Sequence, residues 1–577
     1  MSLRRKYLHN LGFCRARVFI AGLLLASLSL TSPGCFSGDH GSLYYGSVVV
    51  PRDQSFRWSD GGLPQVFDPA LAAAPPDTDA VRALFEGLTE YDPRTLKPVP
   101  GVAERWESTE DNRVWTFYLR NNARWSTGEP VTAADFVRSW ERTLRLGDLA
   151  PHTDLLNNIV GTRAYVLSVR SARAPTAPAT ANRESEPGNH RAEARLVGVQ
   201  EIDPRVLQVK LQRPNSNFPA LVAHPVFRPV KVNDQNENAK VSPVNLISNG
   251  AFHLAEHKND SVQLQRDENY WAREDVSLQR VEFVKTDDAE SALAAYVAGN
   301  VDAVTNAPFE PLALKLLAPY ADCRRTTYAA LTYYSFNTAR VPFNDVRVRE
   351  ALAIAIDRER ISADEMGGAT EPANTFLPMV HEAGNSETII AKVGTLNKDQ
   401  VRARQLLADA GYPDGEGFPV IRLLINRNEQ QRQVAQAVAT SWRSTLKIET
   451  EIISKPWDEY EATIRTGEYD LARRGAVLQS SDETSNLSIL FPAEEKSAGP
   501  AVANPQGTPS VVAENAALGP IETEAEALRR LVAIPIYFAS SFSLVKPYVN
   551  GFDSNVLDAP SLKTVKIDTK WQPPKGS

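Results

Sequence analysis

His253 and His257 are the first residues to weigh for chemistry, because two histidines four apart meet on one face of a helix and can share a metal ion. The segment carrying them, Phe252-His-Leu-Ala-Glu-His257, is expected to be extended instead. Four extended residues hold the rings about 13 Å apart, so neither a metal nor another cofactor is expected. Of the three cysteines, Cys14, Cys35 and Cys323, only Cys323 lies in the body of the chain. No intramolecular disulfide is expected, and Cys323 reads as a small buried apolar residue rather than a reactive thiol. The sequence contains no Gly-x-Ser-x-Gly elbow, His-Glu-x-x-His helix, Walker loop or dinucleotide glycine fingerprint. An enzymatic reading therefore lacks both a nucleophile and a base.

The elements that would position any site alternate between strand and helix patterns. Residues 113–120 set Trp115, Phe117 and Leu119 against Val114, Thr116 and Tyr118, a period of two that predicts a half-buried strand. Thr132 with Asp135 three residues later predicts a capped helix start, after which Phe136, Val137, Trp140 and Leu144 recur at helical spacing. These apolar residues read as core. Residues 397–410 predict a helix stopped by Gly411 and Pro413. Val420–Ile425 predicts a buried strand, Val434, Val438 and Trp442 a helix face, and Ile448, Thr450 and Ile452 a strand, which together indicate an α/β lobe. The N-terminal half reads as strand-rich, at 44–50, 113–120, 196–211, 251–266 and 281–284. Residues 168–194 are rich in Ala, Pro, Ser and Arg and predict an exposed insertion; 493–520 is similar, and helix returns at 522–531.

Residues 1–35 read as an export signal. Arg4, Arg5, Lys6, Arg15 and Arg17 accompany the apolar run Val18–Leu30 with no acidic residue among them, and that run is too short to span a bilayer needing about 20 residues. It ends at Thr-Ser-Pro-Gly-Cys35, which resembles a bacterial lipoprotein cleavage box and predicts lipidation of Cys35 and a membrane anchor. Leu3-Arg-Arg-Lys-Tyr-Leu8 also resembles a twin-arginine signal, so the export route stays open. Removing residues 1–34 takes away five positive charges and changes the formal net charge from −7 to −12. A mildly acidic chain without a basic cluster argues against nucleic acid as partner. About 540 residues exceed what one core supports, about 250–300, so at least two lobes are expected.

Gly101-Val-Ala-Glu-Arg-Trp106, Val114-Trp-Thr-Phe-Tyr-Leu-Arg120, Trp125-Ser-Thr-Gly-Glu-Pro-Val-Thr132 and Asp135-Phe-Val-Arg-Ser-Trp140 together resemble the signature of the solute-binding proteins that deliver oligopeptides and dipeptides to ABC importers. The resemblance resumes at Ser248–Phe252, Asn269–Trp271, Gly299–Asp302, Pro342–Leu352, Ala355–Arg358, Ile534–Tyr537 and Leu544–Tyr548. Leu84–Leu88, Pro100–Glu104 and Asn344–Arg349 follow the oligopeptide-binding branch. The resemblance implies an α/β, bilobal periplasmic-binding-protein fold with an extra inserted domain. Lobe one would combine 36–85, 231–329 and 541–577 with an inserted domain at 86–230; lobe two would be 330–540. The chain would cross between them near 325–332 and 530–540, a hinge for closure on a ligand. It further implies a periplasmic, monomeric receptor whose partners are a peptide-like ligand and an ABC permease.

Site residues follow from the resemblance, position by position. Oligopeptide binders hold an extended peptide between the lobes through main-chain bonds and its termini. Their Trp-x-Ala-Asp motif supplies the aspartate that binds the peptide's α-ammonium; here Ala476 stands for the tryptophan and Gln479 for the aspartate. The loss of charge should weaken amine recognition by about 1–3 kcal/mol, unless Asp482 replaces it; otherwise Asp482 is an exposed loop acid. Arg473 stands where an arginine meets the peptide carboxylate. Asn306, His224 and Trp457 occupy cleft-lining positions, although His224 could be a satisfied core histidine and Trp457 a hinge-side core residue. A second reading is a scaffold or sensory lipoprotein that kept the fold while its ligand site decayed.

Overall fold

The alternation at 113–120 forms its strand, with Trp115, Phe117 and Leu119 buried and Val114, Thr116 and Tyr118 half-buried. A computed structural model describes residues 43–173, 195–233, 237–378, 395–492 and 519–574. Within it Tyr44–Trp571 form one unit. The export signal with Cys14 and Cys35, residues 174–194 and residues 493–518 lie outside the described residues.

The chain opens with β1 (Ser55–Asp60) and α1 (Asp77–Leu84). An antiparallel sheet follows, made of β2 (Ala103–Ser108), β3 (Val114–Leu119), β4 (Val199–Asp203) and β5 (Val206–Lys210) in the order β2-β3-β5-β4. Between β3 and β4 runs α2 (Ala133–Leu146), whose Asp135 carboxylate accepts from the Thr132 N–H at 2.8 Å and the Thr132 hydroxyl at 2.9 Å. Trp140 of α2 is fully buried and donates to the Phe227 carbonyl. The chain continues through β6 (Phe252–His257), β7 (Ser261–Arg266), β8 (Arg280–Val284), β9 (Ala303–Thr305) and β10 (Cys323–Phe336). Then come α3 (Gln400–Asp409), β11 (Ile421–Asn426), α4 (Glu429–Leu446), β12 (Thr450–Lys455), α5 (Trp457–Thr466), β13 (Leu471–Val477), α6 (Glu483–Leu490), α7 (Glu524–Arg530) and β14 (Ala533–Val545).

One mixed sheet runs β12-β11-β13-β10-β14-β9-β1-β8-β7-β6, and Thr370–Pro372 pairs beside β14. β11, α4 and β12 realise the expected strand-helix-strand order, with the strands parallel and Ile421 opposite Thr450. α4 buries Val434, Val438 and Trp442, the face read from their spacing. Two apolar cores make the fold bilobal. The first draws on Phe56, Trp58, Trp115, Trp140 and Phe283; the second draws on Tyr334, Leu352, Leu423, Trp442 and Ile536. β14 begins in the second core at Ala533–Phe538 and ends in the first at Val545. β10 and β14 pair antiparallel from Cys323↔Leu544 to Ser335↔Ala533, and their register shifts between Thr327 and Leu331. The irregularity lies where the strand pair leaves one lobe and enters the other.

Three expectations need correction. Residues 44–50 form no strand: the Tyr45 N–H is held by the Asp322 carboxylate at 3.0 Å, and Gly46 has φ +68 with Val297 Cα 2.5 Å from where a Cβ would stand. Only glycine avoids that clash. The first strand is β1 instead. Residues 168–173 are the end of a helix, Thr162–Arg173, because Val166 and Val169 pack on the first core. Cys323 is half-buried rather than buried; burial and the Asp322 charge push its thiol up, away from reactivity. His253 and His257 lie on β6 as expected, and among the described residues no group of three or more His, Cys, Asp or Glu could hold a metal.

Candidate functional site

β9 ends at Thr305 and the chain turns at Asn306, whose φ of 54° is left-handed. Gly61 permits the turn, since a Cβ there would lie 2.7 Å from the Asn306 carbonyl. Asn306 is exposed, yet its Nδ2 donates to Asp60 Oδ1 at 2.6 Å. The Thr305 hydroxyl donates to the same oxygen at 2.7 Å and accepts from Trp58 Nε1 at 2.7 Å. Asp60 closes β1 and is fully buried; Asp79 of α1 is also buried and takes Arg82 Nη1 at 2.6 Å. Burial raises both carboxyls, Asp79 well above the usual range with the Asp60 charge adding to the effect. Asp558, next to them, is pushed up to about 6, first by burial and then by Asp60. Sequence reasoning missed all three carboxyls. Trp58-Ser-Asp60-Gly-Gly62 held the available signal, an acid ending an aromatic strand at a glycine pair.

Asn306 and Asp558 line a recess of about 280 Å³ at the hinge strands. One wall is the 306–314 segment of lobe one; Tyr328 of β10, Ser540–Phe542 of β14 and Ala369 complete it.

On lobe two, Arg473 sits in β13 opposite Tyr334 of β10. Its guanidinium folds over Gly475, where a Cβ would come within 3.2 Å of Nη2, and it reaches Thr332 Oγ1 at 3.4 Å. Its Nε is buried without a hydrogen-bond partner. Among the described residues no carboxylate pairs with it, whereas Arg422 and Arg340 on the same lobe both take Asp470. The Tyr460 hydroxyl donates to the Arg473 carbonyl. Trp457 starts α5 and stacks on Tyr460 at 5.4 Å with 59% of its surface exposed, so it is not a core residue.

The loop leaving β13 reaches lobe one. Leu478 N–H donates to the Ala329 carbonyl on the hinge strand at 2.8 Å. Gln479 Nε2 donates to the Val477 carbonyl at 3.2 Å, and the Gln479 side chain stands beside the His224 ring. Ser481 donates to the Leu96 carbonyl at 3.2 Å and accepts from Asn217 Nδ2 at 3.1 Å. His224 is buried, its Nδ1 accepts from Val226 N–H at 3.2 Å, and the His152 ring stands 5.0 Å away. Burial, then His152 and Arg82, hold His224 well below its ordinary value, so it is neutral. Asp482 is not an exposed loop acid: it is buried and caps α6, accepting from Ser485 N–H at 2.8 Å. The cap needs that carboxylate because the first N–H groups of a helix have no internal partner. The site residues thus form three groups: Asn306 at the hinge recess, Arg473 with Trp457 on lobe two, and Gln479, Asp482 and His224 at a bridge between lobes.

Residues 97–498 match the family model described as bacterial extracellular solute-binding proteins, family 5. The chain is 30% identical over 558 residues to the periplasmic murein peptide-binding protein MppA of Escherichia coli K12, covering 93% of this chain and 96% of that protein. It is 28% identical to the periplasmic oligopeptide-binding protein OppA of Salmonella typhimurium, covering 88% and 91%. Among solved structures, the unliganded open form of MppA superposes with a TM-score of 0.70 at 27% identity, covering 90% of this chain and 98% of that one. Haemophilus influenzae OppA in complex with RPPGFSPFR gives 0.56 at 25% identity, covering 90% and 100%. With two lobes, two hinge strands and a match over most of its length, the chain belongs to the bacterial extracellular solute-binding proteins, family 5.

Proposed function

We propose that this protein is the periplasmic substrate-binding component of an ABC importer, taking peptides or peptide-like solutes between its lobes, and that lipidated Cys35 anchors it to a membrane. The observation that carries this reading is Arg473, a half-buried guanidinium with no carboxylate among the described residues and an unpartnered Nε. A guanidinium in that state suits a ligand carboxylate, which it can meet with two parallel bonds. Trp457 offers an exposed flat face beside it for a ligand side chain, and Asn306 lies at the hinge recess. Murein peptide and oligopeptide ligands in the names of two relatives point to the same class. Gln479 bonded to the Val477 carbonyl, and Asp482 engaged as a cap, support a narrower point: the ligand's α-ammonium is not the anchor here.

Native mass spectrometry of the chain lacking residues 1–35, followed by thermal shifts with free, N-acetylated and C-amidated peptides, tests this. Co-purified peptide, or stabilisation of several degrees, is expected, with amidation removing most of the shift and acetylation little. An empty protein that no peptide stabilises would replace this reading with that of a scaffold lipoprotein.

A further inference from the structure

We propose that the recess at Asn306 takes an aliphatic primary ammonium, the lysine-type side chain of the bound ligand; this rests on the peptide reading above. Three carboxylates, Asp60, Asp79 and Asp558, gather there from β1, α1 and the segment after β14, and Arg82 is the one guanidinium paired into the group. Asp60 and Asp79 are 0% and 2% exposed, and among the described residues the Oδ2 of each meets no N–H or O–H donor. Buried acceptors left without donors are costly, and an ammonium brings three donors.

The dimensions select the cation. Behind Asn306 and Asp558 is a chamber of about 10 Å³, lined also by Trp58, Asp79 and Phe552, which is room for one water-sized group. An ammonium head has that size and a guanidinium does not. The aromatic rings of Trp58 and Phe552 favour a cation over a neutral guest. Asn306 and Asp558 also line the outer space of about 280 Å³, where Phe309, Leu314 and Phe542 offer apolar surface to a methylene stem. The charged groups lining the chamber are Asp79, Asp558 and Asp553, the last paired with Arg94 at 3.1 Å; Asp60 and Arg82 act on them from outside the lining, and Tyr328 of β10 lines the outer space. Burial holds the three carboxyls toward their protonated forms, so an entering cation should expel a proton.

The test is titration calorimetry of the full mature chain with tripeptides of alanine carrying one lysine at each position, against norleucine counterparts of equal length, and with n-pentylamine alone. At least one lysine peptide is expected to bind about tenfold or more tightly than its norleucine partner. Near pH 6, its heat should change between buffers of different ionisation enthalpy, reporting proton release. Asp558→Asn and Asp79→Asn should erase the preference, so that within each variant a lysine peptide binds no more tightly than its norleucine partner. Equal binding of lysine and norleucine peptides by the unaltered protein would overturn the proposal and leave the peptide reading standing, as would a preference that survives both substitutions. Binding of n-pentylamine without any peptide would keep the ammonium site and discard the peptide reading; if neither binds, both fall.

Discussion

Gln479, on the loop after β13, comes up beside the ring of His224, which is buried in lobe one, and the two lobes meet there. His224 Nδ1 accepts from Val226 N–H, which makes Nε2–H the donor of the neutral ring. Ser481 makes two hydrogen bonds to lobe one there, through Leu96 and Asn217. A neutral amide opposite a neutral histidine suits this bridge, because an ionised aspartate in place of Gln479 would bring a buried charge to it.

Restoring the charge should restore amine recognition. Gln479→Asp is expected to raise the preference for free over N-acetylated peptides by about 1–3 kcal/mol, the worth of a charged hydrogen bond. The ratio of dissociation constants for one peptide and its acetylated form measures it. An unchanged ratio would mean that the loop does not face the ligand's amine.

Arg473 makes a complementary case on lobe two. Arg473→Gln should weaken peptides with a free carboxylate by about 1.5–3 kcal/mol and leave C-amidated peptides unaffected. Folding stability should hold or rise, since the lost group is a half-buried charge without a carboxylate and with an orphaned Nε. Equal losses for amidated and free peptides would assign Arg473 a structural role.

Local signals made much of the fold legible. The alternation at 113–120, the Thr132–Asp135 cap and the period of Val434, Val438 and Trp442 each depend on neighbours in sequence, and each formed as read. β1 was missed because Val48-Val-Val50 looks more strand-like than Ser55–Asp60, and only Asp322, 277 residues beyond Tyr45, decides otherwise. Distance in sequence likewise hid the acid cluster: Asp60, Asp79 and Asp558 are ordinary surface-type residues until the sheet brings them together. Asp482 was misjudged as exposed because nothing local announced that 483–490 would be a helix needing a cap.

The inserted sheet and α2 are pinned to the rest of lobe one by a buried ion pair. Arg142 of α2 and Asp68 are each 1% exposed, and Asp68 also accepts from Val241 N–H at 2.8 Å. Asp68→Asn leaves a buried guanidinium without its countercharge and should cost about 3–5 kcal/mol, read from the urea midpoint. The paired exchange Asp68→Leu with Arg142→Met should cost far less. A small loss from the single substitution would mean that water reaches the pair.

Buried His224 and half-buried Asp558 should give stability opposite slopes in pH. His224 is depressed in the folded protein from 6.5, so the unfolded chain binds the extra proton. Its contribution is complete above about pH 6.5 and is lost as pH falls toward the folded value. Asp558 is raised from 3.8 to about 6, so the folded protein binds the extra proton, and stability falls as pH rises through that interval. Asp558→Asn keeps an oxygen for the Ser541 hydroxyl, which donates at 3.1 Å, and removes the ionisation. The variant should match the parent near pH 3.8 and exceed it at pH 7 by on the order of 1–3 kcal/mol. His224→Gln should instead flatten the decline below pH 6.5. Urea midpoints at several pH values from 4 to 7 separate the two, because each substitution changes the slope in its own direction. Parallel curves for the parent and Asp558→Asn would mean that this carboxyl titrates alike in the folded and unfolded chain, and its burial beside Asp60 would then carry no energetic cost.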